Sequence, residues 1–208
     1  QMDVSGNTIA IVTGGSGQNL YLFKSTDNGD NWSTTVVDSF GIQGYNGNQP
    51  TKGDTLRTNT GSVEVLLDNN DNAHVWWAVT SILDDTEKDS SWVFFPAANG
   101  IMHWDESNKA QQIVGRTLDI NENNQLDLFS DQWSSNPGAR YSNNSLACFP
   151  DAGIDADGNI FLLYSAPNED ALSPEGPVYR DVYVVYTEDD GVSWSNPQPI
   201  IENYEAED

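Results

Sequence analysis

One repetition constrains this chain more than any other feature. The segment Leu20-Tyr21-Leu22-Phe23-Lys24-Ser25-Thr26-Asp27-Asn28-Gly29-Asp30-Asn31-Trp32 returns as Val182-Tyr183-Val184-Val185-Tyr186-Thr187-Glu188-Asp189-Asp190-Gly191-Val192-Ser193-Trp194, with each position shifted from 25 to 187 or equivalently by 162 residues. Each copy reads as a strand, a tight turn and a tryptophan. A supersecondary unit that returns along a chain marks a fold built by stacking such units. A shorter unit also repeats. Asp3-Val4-Ser5-Gly6-Asn7, Asp68-Asn69-Asn70-Asp71-Asn72 and Asp155-Ala156-Asp157-Gly158-Asn159 each lead into an apolar run beginning at Thr8, Ala73 or Ile160. Gly or Asn at the tight positions supplies the positive φ a short hairpin requires. A third strand, Gly100-Ile101-Met102-His103-Trp104, continues as Asp105-Glu106-Ser107-Asn108-Lys109, without the glycine and tryptophan. Its turn has degenerated.

The spacings Ser25-x-Asp27-x-Gly29-x-x-Trp32 and Thr187-x-Asp189-x-Gly191-x-x-Trp194 resemble the Asp box of the sialidase-type (BNR) repeat β-propellers, in particular secreted bacterial ones. The resemblance implies an all-β chain of four-stranded antiparallel blades, with each box as the turn between the third and fourth strands. It makes Ser25, Asp27, Gly29, Trp32, Thr187, Asp189, Gly191 and Trp194 structural rather than catalytic, on the outer rim. Trp32 and Trp194 are expected to be buried between neighbouring blades. A single partial-propeller domain over 1–208 is expected, with about three blades near 1–45, 60–115 and 145–205 and an insertion at 116–144. Propellers close with roughly four to eight blades. Three would leave strand edges open, so a larger six- or seven-bladed ring is expected, completed by the remainder of the propeller or by a partner protein.

Charge narrows the partners. Eight Lys and Arg against 32 Asp and Glu give a net charge of -24. That surface repels phosphate backbones and anionic bilayers, which argues against nucleic acid and membrane partners. No apolar run approaches the roughly 20 residues that span a bilayer, and Gln1-Met2-Asp3 lacks the pattern of a signal peptide; any such leader is expected to have been removed. The single cysteine, Cys148, has no internal disulfide partner and reads as a small buried apolar residue. A secreted or cell-surface location rests on the resemblance.

Chemistry is harder to find. A sialidase-like enzyme would need an arginine cluster, a tyrosine-glutamate pair and an acidic proton donor. Arg57, Arg116, Arg140 and Arg180 sit in no Arg-Ile-Pro context, and they read as surface or blade-bridging ion-pair partners. No carboxylate pair stands out among so many acids. Gly14-Gly15-Ser16-Gly17 lacks the lysine of a phosphate loop and reads as an inter-strand turn. His74 and His103, each flanked by tryptophan, read as packed or rim histidines, while Trp92 and Trp133 could stack on sugars. In the insertion, Asp119, Asn121, Asn123 and Asp127 alternate oxygen donors as calcium loops do. Asn124 stands where such loops prefer glycine and no glutamate follows at the twelfth position, so an ordinary polar loop is the alternative. The expected function is an extracellular propeller module for protein or glycan binding or surface assembly, without catalysis. The alternative is an exo-acting, sialidase-type glycoside hydrolase completed by blades outside the chain.

Overall fold

A computed structural model describes residues 1–42, 45, 55–84, 92–95, 98–128, 145–172 and 178–200. Among them there are only strands, turns and loops. The first sheet is β1 (Met2–Ser5), β2 (Thr8–Thr13), β3 (Leu20–Ser25) and β4 (Ser33–Asp38), paired in chain order. The second is β5 (Leu56–Leu67), β6 (Ala73–Leu83), β8 (Ile101–Asp105) and β9 (Gln111–Gly115), with β7 (Val93–Phe95) paired to the far end of β6. The third is β10 (Cys148–Ile154), β11 (Ile160–Leu172), β12 (Val178–Thr187) and β13 (Gln198–Pro199). All pairings are antiparallel. Three successive meanders stacked face to face make a partial β-propeller.

The hairpin turns explain the repeats. In the second and third sheets, Asp68 Oδ1 accepts the N–H groups of Asn70 and Asn72, and Asp155 Oδ1 accepts those of Asp157 and Asn159, all at 2.7–2.9 Å. Asp71 (φ 63°) and Gly158 (φ 92°) occupy the same left-handed position. The longer motif is equally regular. Ser25 and Thr187, 1% and 2% exposed, each donate to the aspartate two residues on and accept the glycine N–H four residues on. Asp27 and Asp189 then accept the N–H and the side chain of Asn31 and Ser193. The indoles of Trp32 and Trp194 donate to the carbonyls of Gly29 and Gly191. Those bonds, that of residue 31 or 193 first, hold Asp27 below the usual carboxylate range and Asp189 down to about 2.

Face alternation builds two inter-sheet cores. Ala10, Val12, Leu20 and Leu22 of the first sheet meet Val65, Val75, Trp77 and Trp104 of the second. The opposite face of the second sheet, through Trp76, Ala78 and Ile101, meets Ile160, Leu162, Tyr164, Tyr183 and Val185 of the third. Trp194 is half-buried in that second interface, edge-on to His103 (5.1 Å) and Trp76 (6.2 Å). Trp32 departs from the expectation of burial: it is 45% exposed. Its indole lies on the face of the first sheet that points away from the second, and no described residue of another sheet covers it. The faces of the first and third sheets that point away from the second are covered by no other described sheet.

Candidate functional site

The first strand of each sheet lies on one side of the molecule, and β5 runs between β1 and β10. Asp3 Oδ2 accepts the Leu67 N–H (2.7 Å) across β1 and β5, and Ser62 Oγ accepts the Phe149 N–H (2.9 Å) across β5 and β10. These strands therefore line the propeller axis, where crossing blades leave a concavity. A cleft of about 710 Å³ opens there, lined by Gly61, Ser62 and Glu64 of β5, Phe149 and Asp151 of β10, and Gln1.

Glu64 is the unusual group. It alternates with Val63 and Val65 on a strand whose neighbours pack into cores, so its carboxyl leaves water on one side. Burial pushes it up to about 7; the Val65 N–H opposes this, and the charges of Asp151 and Asp3 add to it. At neutral pH the cleft thus holds a carboxyl near half-protonation. Phe149 sits at the bulge between Cys148 and Asp151 with φ 57°, a left-handed conformation that bulky residues rarely adopt, and it is 46% exposed. Strain of this kind persists only where the surroundings impose it and clusters at functional sites. Together these residues offer an aromatic surface beside hydrogen-bonding carboxyls, the combination a sugar ring uses. Sequence reasoning missed all three. The available signal was Glu64 as the one acid in Ser62-Val63-Glu64-Val65-Leu66-Leu67.

The insertion loop gathers the four residues suggested for calcium. Asp119 accepts the N–H groups of Asn123 and Asn124, and Asp127 Oδ2 accepts the side-chain amides of Asn121 (3.0 Å) and Asn123 (2.7 Å). Glu122 and Asn124 take left-handed φ of 58° and 66°, so Asn124 performs the turn for which glycine was missed. A residue absent from the sequence reading holds the loop down: Glu169 of β11, 5% exposed, accepts the N–H groups of Ile120, Asn121 and Asp127.

The remaining described candidates divide among ion pairs, turns, packing and the exposed Arg116. Arg57 reaches Asp38 (3.2 Å) between the first two sheets. Arg180 donates to Ser165 Oγ and O and to the carbonyl of Leu146, while Arg116 engages Tyr164 only through its backbone. Arg140 and Trp133 lie outside the described residues. Gly14 and Gly17 of the β2–β3 turn press against Leu20 and Tyr45, too close for a side chain. Trp92 lies tilted against Tyr45 (5.6 Å) and edge-on to Phe94 (6.1 Å). Cys148 is fully buried, and burial pushes its thiol up to about 11. His74 and His103 are buried with Nδ1 of one 3.0 Å from Nε2 of the other. Burial lowers both, His103 to about 3.

No family model matches the chain, and no curated protein matches it. Among solved structures it is similar to a thermostable family-43 glycoside hydrolase, at 12% identity and a TM-score of 0.37, covering 96% of this chain and 51% of that one. It thus spans about half of that protein's length. A GH43 endo-arabinanase from Bacillus licheniformis gives 12% identity and 0.28, covering 98% and 79%. An endo-1,4-beta-xylanase from Bacteroides thetaiotaomicron gives 11% and 0.35, covering 98% and 72%. Likeness at this depth says nothing of substrate or of individual residues.

Proposed function

We propose that this chain is a secreted or cell-surface propeller module of the Asp-box type that binds a glycan in its axial cleft without turning it over. The observation that supports this reading is the strained, exposed Phe149 beside the Glu64 and Asp151 carboxyls. The aromatic ring supplies a stacking surface, and the carboxyls accept sugar hydroxyl hydrogens. The two serine/threonine-aspartate-glycine-tryptophan turns support the Asp-box assignment, because they share one hydrogen-bond pattern. Calcium is proposed as the ion of the 119–127 loop, whose donor set of two carboxylates and two amides suits a hard cation of modest affinity. Calorimetry with a panel of neutral oligosaccharides tests the binding reading. Phe149→Ala is expected to lower affinity roughly tenfold, a loss of about 1.4 kcal/mol; unchanged binding to that variant removes the cleft from consideration.

A second reading is favoured by Glu64. A carboxyl titrating near 7 beside a second acid is the pair that general acid–base hydrolysis of a glycoside requires. The module would then be part of an exo-acting glycoside hydrolase; for the sialidase type, the arginine cluster and the tyrosine-glutamate pair would have to come from other blades. Turnover of aryl glycosides that is abolished by Glu64→Gln separates this reading from the first.

A further inference from the structure

The two open faces of the molecule are copies of the two halves of an interface already formed within it. Strand registers establish the equivalence. Ile9 pairs with Ser25, and Ile160 pairs with Thr187, the matching first residue of the repeated turn. Counting from there, Ile9, Ile11, Tyr21, Phe23 and Trp32 of the first sheet stand where Ile160, Leu162, Tyr183, Val185 and Trp194 stand in the third. The latter set is packed against the second sheet. The former set is half-buried or exposed, and the flanking Met2, Val4 and Val36 are about half exposed.

The other open face gives the complementary match. Asn72 and Asn159 close equivalent turns, so His74 and Trp76 correspond to Phe161 and Leu163; their cross-strand partners Asp105 and His103 correspond to Tyr186 and Val184. His103 and Trp76 form the seat on which Trp194 rests. Phe161, Leu163, Val184 and Tyr186 form an equivalent seat that no described residue covers, with Phe161 39% and Tyr186 37% exposed. Among the described residues, one chain therefore carries both an uncovered tryptophan face and an uncovered seat for it. Contiguous exposed apolar faces of this kind mark association surfaces.

We propose that two copies of this chain associate head to tail, the first sheet of each packing through Trp32 on the third sheet of the other. The contact is heterologous, and two such contacts close a two-fold ring of six blades, within the range in which propellers close. The occupant is a second copy because the required seat, with its spacing of residues on two adjacent strands, is present on the chain itself. The net charge of -24 opposes association, so it strengthens as salt screens the repulsion.

Sedimentation velocity and small-angle scattering of the 208-residue chain test this, at about 100 μM protein in about 1 M NaCl, where the Debye length is about 3 Å. The expected species is a closed dimer. Trp32→Glu and Phe161→Glu, both at exposed positions, are each expected to raise the dissociation constant about thirtyfold or more. Mixed together, the two variants regain a heterodimer through the one interface that is intact in the pair. Three results overturn the proposal: a monomer for the parent chain, a dimer indifferent to Trp32→Glu or to Phe161→Glu, or no heterodimer from the mixture. Circular dichroism of each variant separates lost association from lost folding; if one variant misfolds, the parent and the other variant still decide.

Discussion

At the scale of single residues, the two repeated turns share a hydrogen-bond pattern yet differ in what surrounds the glycine. Gly29 (φ 92°) has nothing nearer than 3.7 Å to an added Cβ, whereas one on Gly191 (φ 83°) would fall 2.6 Å from His103 Cε1. Gly29→Ala is expected to cost about 1–2 kcal/mol for the left-handed backbone alone. Gly191→Ala adds about 1–3 kcal/mol of overpacking against a ring that has no room to retreat, and thermal melts of the two variants compare them directly. His74 and His103 beneath that turn make stability depend on pH. Both are depressed in the folded chain, so their contribution is present above the unfolded value near 6.5 and is lost as pH falls toward 3. Asp68, Asp105 and Asp190 face the pair and blunt this without reversing it. At pH 5 His103 is expected to cost about 2 kcal/mol, and His74 adds to it in the same direction. The double variant His74→Phe, His103→Val installs the residues that the third sheet carries at those positions, and its stability should change far less between pH 7 and 5. Glu64 has the opposite sign. Its raised value stabilises below about 4.5, and the contribution is lost as pH rises through about 7. Glu64→Gln should therefore raise the melting temperature at pH 8 and leave it unchanged at pH 4, and the reverse pattern would show that the carboxyl is not desolvated.

At the scale of elements, the strands were legible because period-two burial and Asx-closed turns leave direct traces in sequence. The middle turn, which lacks glycine and tryptophan, still closes: Lys109 takes φ 56° and Asp105 accepts from Ser107, a tighter turn with a different signature. Burial of Trp32 was not legible, since a motif fixes the turn around an indole but not whether a neighbouring sheet covers it. Nor was Glu169, whose partners lie 42 to 49 residues away along the chain. The 119–127 loop thus depends on a remote carboxylate. Glu169→Ala, which strands three N–H groups beneath the loop, is expected to cost about 3 kcal/mol. Calorimetry with calcium in moderate salt should show one weak site per chain that disappears in the double variant Asp119→Ala, Asp127→Ala. Unchanged heat and stoichiometry there would make the loop a polar insertion only.

At the scale of the whole molecule, composition announced an acidic surface but could not say where the few cations would go. Lys24–Glu106 and Arg57–Asp38 both tie the first sheet to the second, and Arg180 binds the carbonyl of Ser165 in the third and that of Leu146 just before it. The axial cleft was illegible for a related reason: with 32 acids in the chain, Glu64 and Asp151 are conspicuous only once β5 and β10 are known to be neighbours. Salt acts on these charges in two opposing ways. It weakens the two inter-sheet ion pairs, each worth about 1 kcal/mol or less at a surface. It also screens mutual repulsion among the excess acids, which extends over about 30 Å at 0.01 M salt and about 3 Å at 1 M. Repulsion involves a net charge of -24 and the inter-sheet ion pairs among the described residues two contacts, so screening should win. The melting temperature at pH 7.5 is expected to rise between about 0.01 and 1 M NaCl by more than the roughly 2–4 °C that one kcal/mol gives in a chain of this size. Potassium chloride should give the same curve, because screening depends on ionic strength and not on the identity of the cation. A melting temperature that falls with salt would mean that the inter-sheet ion pairs, and not the acidic excess, govern how the three sheets hold together.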